Sequence, residues 1–343
     1  MSAHDHHPHD YRIWLYAFGY FACYAPYSAL TKIISQGSLP GMDKKITGFE
    51  LLPLSTMASL VAMFVFLSAM RWWHYAGHRT LFGLSLPCPN RWTFFSGLTT
   101  AAIIGTTTLA YTFGGVSIVF MMLLMRGGVL IIAPIVDFAS KRKVKWFSWV
   151  ALGLSLSALT TAFIETTNYS LTLVAAVDVA IYLASYFIRL RFMSHLAKSN
   201  EREATIRYFV EEQMVATPAI VTGLIIFSLV GRGQIADELR RGFTDIWSSG
   251  AVLGSLLVGL LSQGTGVFGG LILLDRRENT FCVPVNRASS VIAGVLASLG
   301  LWQLGKGKPM AWSEWIGVGL MIGAIVVLAL PSVLRKKGQK GEA

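Results

Sequence analysis

Ten apolar runs, at about 12–35, 50–70, 92–113, 116–137, 146–164, 170–190, 208–230, 248–273, 281–303 and 313–333, take up most of the chain. An α-helix of roughly 20 apolar residues crosses the hydrocarbon core of a bilayer. Such a segment satisfies its own backbone hydrogen bonds where no water can do so. Only 14% of the 343 residues are charged, against about 25% in a soluble chain, which is too little to cover a water-exposed surface. An ordinary soluble enzyme, a disordered chain and a disulfide-stapled domain are thereby excluded. Cys23, Cys88 and Cys282 are too few for a disulfide framework and have no metal or redox spacing. The expected fold is an all-α integral membrane protein with ten transmembrane helices.

Charge and aromatic residues fall where membrane-water boundaries belong. Trp72-Trp73, Trp146, Trp149, Trp312 and Trp315 punctuate the ends of runs, the depth that indole rings prefer. The net charge is +11, which in a soluble protein would point to nucleic acid. Here the cations cluster in the connections, so the implied partners are membrane lipids and not nucleic acid. With the N-terminus cytoplasmic, nineteen Lys and Arg fall in cytoplasmic segments and eight on the opposite side. The positive-inside bias then places both termini in the cytoplasm, as in a multi-pass protein of a bacterial inner membrane. Residues 1–11 form a His-rich tail without Lys or Arg; lacking a basic leader, the first helix is expected to be retained. His4, His6, His7 and His9 have no folded frame to fix them, and no metal is assigned. Residues 335–343 form a basic tail.

An internal repeat constrains the architecture further. W-F-S-W-V-A-L-G-L-S-L-S-A-L from Trp146 aligns with W-S-E-W-I-G-V-G-L-M-I-G-A-I from Trp312. Upstream, M-R-G-G-V-L-I-I-A-P-I-V aligns with N-R-A-S-S-V-I-A-G-V-L-A, pairing Arg126 with Arg287. Two matches in the same order indicate duplication, with copies at 12–164 and 170–334. Each copy holds five spans, an odd number, so the second enters the membrane inverted. Inverted repeats are the architecture of secondary transporters, whose site lies near the midplane between the halves.

These elements resemble the drug/metabolite transporter superfamily, built of five plus five helices in inverted repeat. The element M-M-L-L-M-R-G-G-V-L-I-I with the following W-x-x-W-x-x-x-G-L is similar to its EamA-like and nucleotide-sugar-transporter-like branches, and F-C-V-P-V-N-R-A-S-S-V-I-A-G-V-L-A resembles the second-half counterpart. The loops S-K-R-K-V-K and G-K-G-K-P depart from the family pattern in lacking a Gly-Glu pair. The lysine motifs of characterised nucleotide-sugar carriers are also missing. The resemblance implies the fold and a transport role, and does not carry over a particular substrate.

Arg126 and Arg287 are the sharpest candidates. A guanidinium within a span costs roughly 3 kcal/mol on insertion scales and cannot shed its charge, so each must meet a partner or a water-filled cavity. Two such cations facing one cleft suit a carboxylate or phosphate; the competing role is a fold-holding bond to helix carbonyls or a neighbouring acid. Asn286, Gln263, Tyr24 and Tyr27 have the polarity to line the same cavity, with Pro26 interrupting the first helix. Asp178 reads as a proton-coupling acid or an ion-pair partner. Glu211 and Glu212 read as gate contacts or as acids favourable near a helix N-terminus.

No zinc-helix motif, paired-acid metal site, nucleophile elbow or phosphate-binding loop occurs, so neither an enzyme nor a cofactor is expected. The expected function is secondary active transport of a small polar or anionic organic metabolite by alternating access. The alternatives are a lipid-linked phosphate or amphiphile translocase and an integral-membrane enzyme. A homodimer is compatible with this reading.

Overall fold

The computed structural model describes residues 12–42, 44–81, 84–113, 118–164, 173–197, 202–307 and 309–340. Eleven α-helices and one small hairpin make up these residues. In chain order they are α1 (Arg12–Ser35), α2 (Gly48–Ala69), a hairpin of β1 (His78–Leu81) and β2 (Leu84–Pro87), α3 (Arg91–Ala110), α4 (Ile118–Ala139), α5 (Trp146–Ile164), α6 (Leu173–Leu196), α7 (Arg202–Val230), α8 (Gln234–Thr244), α9 (Val252–Leu273), α10 (Asn279–Gln303) and α11 (Trp312–Lys340). Six of them, α2, α3, α6, α7, α9 and α10, have the length and apolarity of membrane spans. The His-rich tail, the start of the run at 170 and residues 341–343 lie outside the described residues.

Each apolar run forms a helix, but the helix ends depart from the runs. α6 continues to Leu196, α7 begins at Arg202 and α11 extends to Lys340. Arg, Lys and Glu are good helix formers, so the backbone ladder runs on after the apolar stretch stops. α8 is an addition to the ten expected helices. It is short and polar, and it buries Ala236, Glu238, Leu239 and Gly242 while packing on α2. A Cβ on Gly242 would lie 2.4 Å from the Glu50 carbonyl oxygen, so only glycine admits this approach. The hairpin pairs His78 with Pro87 through Leu81 with Leu84 in antiparallel register. Both elements lack a long apolar stretch, which is why a search for spans passes over them.

The long helices pack in a reciprocal pattern. α1 lies on α9 and α10, while α6 lies on α3 and α4. α2 packs on α9, and α7 packs on α3. α4 meets α10, α5 meets α11 and α2 meets α7. With α8 set aside, replacing each helix by the one five places away in chain order turns this set of partners into itself.

Two glycines about 160 positions apart make equivalent close approaches. A Cβ on Gly97 in α3 would lie 2.9 Å from the Glu212 carbonyl oxygen in α7, and one on Gly259 in α9 would lie 2.2 Å from the Ser55 carbonyl oxygen in α2. Backbone-to-backbone contact at small residues brings helices together where the surroundings supply no hydrophobic drive. The Ser59 hydroxyl fastens the second contact by donating to the Gly259 carbonyl at 2.7 Å.

α4 and α10 are clasped at one end by a buried carboxylate. Asp137 accepts from the Asn279 backbone N–H (3.1 Å) and Nδ2 (2.8 Å), and from the Thr280 backbone N–H (2.7 Å) and Oγ1 (2.6 Å). It therefore satisfies N–H groups that the first turn of α10 cannot satisfy internally. Replacing Asp137 by Ala would orphan two buried N–H groups at about 1–3 kcal/mol each. The expected result is a thermal midpoint several degrees lower in detergent. Asp237→Ala, in an exposed pair with Arg240, is expected to leave the midpoint unchanged.

Candidate functional site

Eight helices, α1, α2, α3, α4, α6, α7, α9 and α10, wall one cleft of about 60 Å³. That equals the liquid volume of about two water molecules. Among the described residues, the mutually packed α5 and α11 contribute none to the wall. α1 presents Tyr20, Tyr24 and Tyr27, and α9 presents Ser262, Gln263, Thr265, Gly266, Gly269 and Gly270.

Arg126 lines the cleft and Arg287 lies beside it; they are 2% and 0% exposed. Arg126 donates through Nη1 to the Tyr182 hydroxyl and through Nη2 to the Tyr24 hydroxyl. Arg287 donates through Nη1 to the same Tyr182 hydroxyl at 2.8 Å. The two guanidinium groups thus converge on one phenolic oxygen. Their planes are held by aromatic faces: Arg126 sits 5.1 Å from the Tyr24 ring centroid and Arg287 4.6 Å from that of Tyr186. Arg126 Nε, Arg287 Nε and Nη2, and both amide atoms of Asn286 are buried without a protein hydrogen-bond partner among the described residues.

The other sequence candidates separate into those on the cleft and those off it. Tyr24, Tyr27, Gln263 and Asn286 line it. Tyr27 bonds the Thr108 hydroxyl at 2.9 Å, and Gln263 approaches the Met63 sulfur at 3.9 Å. Glu212 lies one layer behind, where it accepts from Arg189 Nε (2.9 Å) and Nη2 (2.7 Å) and from the Ser96 hydroxyl (2.7 Å). Glu211 is drawn away to the hairpin: it accepts from the backbone N–H groups of Gly77 (2.9 Å) and Asn90 (3.1 Å), the Thr93 hydroxyl (2.8 Å) and Arg207 Nε (2.8 Å). Asp178, on α6 one turn before Tyr182, is buried outside the cleft wall, and neither of its oxygens meets a hydrogen-bond partner among the described residues.

Several residues of the site were not singled out from the sequence. Arg189, counted there as a cytoplasmic cation, lies inside α6, 4% exposed and paired with Glu212. The apolar run stops at 190, but the helix continues for about two turns past Arg189, to Leu196. Tyr182 and Tyr186 belong to a third repeat match: Y-F-A-C-Y from Tyr20 to Tyr24 and Y-L-A-S-Y from Tyr182 to Tyr186 stand within one residue of the spacing between Arg126 and Arg287. Aligning whole repeats instead of the two strongest segments would have exposed it. Tyr111, which joins the Tyr24 hydroxyl, has no counterpart signal.

Among the described residues no group of three His, Cys, Asp or Glu has a metal-binding arrangement. No protein-family model and no curated protein sequence matches the chain. Its fold does have relatives. One crystal structure of a protein superposes with a TM-score of 0.57 over 93% of this chain and 96% of the other, at 14% identity. At that identity the likeness concerns the fold alone, and it spans both chains almost from end to end.

The buried Arg189–Glu212 pair makes a sharp prediction. Arg189→Met removes one partner of a fully desolvated ion pair, a change that costs about 3–5 kcal/mol. The thermal midpoint of Arg189→Met in detergent is expected to fall strongly. Arg189→Met combined with Glu212→Gln is expected to recover most of the loss.

Proposed function

We propose that the chain is a secondary active transporter that carries a small polar or anionic organic solute by alternating access. It is read as ten spans in two inverted five-helix repeats, with both termini cytoplasmic. The observation that carries the proposal is a pair of repeat-related contacts beside one central cleft, Arg126 with Tyr24 and Arg287 with Tyr186. One arginine and one tyrosine come from each half, at matching repeat positions. A duplicated and inverted fold places its ligand at that seam.

Three further features support the reading. The packing partners of the long helices interchange under a shift of five, as two equivalent halves require. The close approaches at Gly97 and Gly259 are repeat equivalents. The cleft of about 60 Å³ is far below the roughly 300 Å³ at the lower end for organic-ligand pockets. A solute therefore enters only when the halves part, and the contacts between α1 and α9 or α10, and between α6 and α3 or α4, are the surfaces on which they rock. The wall is polar at Ser59, Thr100, Thr107 and Gln213, and no side chain there has the arrangement of a nucleophile with its base.

The test is solute counterflow into proteoliposomes, after a thermal-shift screen of metabolites has identified a ligand. Arg126→Ala and Arg287→Ala are each expected to abolish counterflow while the purified variants keep their fold and insertion. Full flux in both variants would retire the site assignment. Turnover of the solute to a product in detergent, with no second compartment, would replace the transporter by an enzyme.

A further inference from the structure

We infer that Arg126 and Arg287 close together on one doubly charged oxyanion, the phosphoryl group of a phosphate monoester, and that the Tyr182 hydroxyl holds the place of one of its oxygens. The inference rests on the transport reading for its biological setting. It concerns which chemistry the cleft recognises.

The geometry argues first for one group rather than two. Both guanidinium groups already donate to a single oxygen, that of Tyr182. Two hydrogen bonds of ordinary length meeting at one atom keep their donor nitrogens within about 6 Å. An extended solute with a charge at each end does not fit between cations so placed. A single oxygen-rich centre does.

Charge and donor number then select the centre. Arg126 and Arg287 make no ion pair with an acid among the described residues. The acid closest in the bonding network, Glu212, is committed to Arg189. Two permanent positive charges are thus left at the seam. One carboxylate carries a single negative charge and would leave one of the two cations unneutralised. A phosphoryl group presents three acceptor oxygens and about two negative charges. It can take donors from two guanidinium planes on different helices at once. The donors exist: Arg126 Nε, Arg287 Nε and Nη2, and Asn286 Nδ2 are buried and lack protein acceptors among the described residues. The Arg287 guanidinium lies 4.6 Å from the Tyr186 ring centroid, and these open nitrogens are the ones left for the ligand.

The experiment titrates the full-length purified protein with inorganic phosphate at pH 8 by calorimetry, with acetate at matched ionic strength as the comparison. One phosphate per chain is expected, at least tenfold tighter than acetate. Binding should weaken as the pH falls and inorganic phosphate loses its second charge. Arg126→Gln and Arg287→Gln should each abolish binding, because the two side chains serve one group. Arg126→Lys and Arg287→Lys should weaken binding about tenfold while preserving the charge, and thermal unfolding of these variants verifies the fold. Tyr182→Phe should bind phosphate at least as tightly as the parent, since the placeholder is gone. Two phosphates per chain, retention of one phosphate in either Gln variant, or equal affinity for acetate would overturn the inference.

The monoester can be a soluble metabolite or a lipid headgroup. Displacement of phosphate by glycerol phosphate alone identifies the first source, and displacement by phosphatidic acid in nanodiscs alone identifies the second. Displacement by neither would overturn the assignment to a monoester. Phosphate binding without counterflow of any ester would sink the transport reading and leave this assignment standing. Counterflow of a solute with which phosphate does not compete would do the reverse.

Discussion

The structure depends on keeping two permanent cations in a space with no acid to neutralise them. Guanidinium groups about 6 Å apart repel by roughly 3 kcal/mol at an effective dielectric constant of 20, and moving each out of water adds a penalty. The chain offsets this with neutral oxygens and aromatic faces. Tyr24 and Tyr182 supply hydroxyl acceptors, and Tyr24, Tyr182 and Tyr186 turn the negative faces of their rings towards the charges. Tyrosine suits this task because its phenol accepts a hydrogen bond without bringing a formal charge. A carboxylate in its place would form a closed ion pair and leave nothing for a ligand to satisfy.

That arrangement requires helices that meet closely and at fixed depth. Gly97 and Gly259 bring α3 against α7 and α2 against α9, which sets the distance across which the tyrosines of α1 and α6 can reach arginines on α4 and α10. The Asp137 clasp fixes the relative height of α4 and α10 at one end. Arg126 and Arg287 sit on these two helices, so their heights relative to Tyr182 follow from the clasp. Small residues, a capping carboxylate and the cation site thus form one mechanical chain. Its links are steric contact, backbone hydrogen bonding and charge.

Much of this was legible in the sequence, and for a physical reason. A helix that avoids water must be apolar along about 20 residues, so the ten long helices announce themselves as runs, and charges that interrupt them stand out. Arg126, Arg287, Asn286, Tyr24, Tyr27 and Gln263 were visible as polar groups where polarity is costly. What stayed hidden depended on partners. Glu211 and Glu212 are neighbours in sequence, yet helix geometry points one to the hairpin and the other to Arg189; no pattern of residue types distinguishes them. Asp178 was weighed as an ion-pair partner, but its oxygens meet no hydrogen-bond partner among the described residues. Tyr182 and Tyr186 do not stand out as single residues, because aromatic residues are ordinary in an apolar run; only their repeat spacing marks them. α8 and the hairpin were missed because neither is apolar.

The repeats differ at Tyr27, and the difference has a consequence under the proposed reading. Repeat alignment sets Tyr27 on α1 against Arg189 on α6. Tyr27 makes a neutral bond to Thr108, while Arg189 makes a buried bidentate ion pair with Glu212. In a perfectly duplicated carrier the two facing states would exchange the roles of the halves and have equal energy on the protein side. Here one half carries an ion pair whose separation leaves two buried charges, and the other carries a bond between hydroxyls whose loss costs about 1 kcal/mol. The half containing Arg189 and Glu212 therefore resists internal rearrangement more than its counterpart. Under the proposed reading, the two facing states then differ in free energy even across a membrane with no gradient.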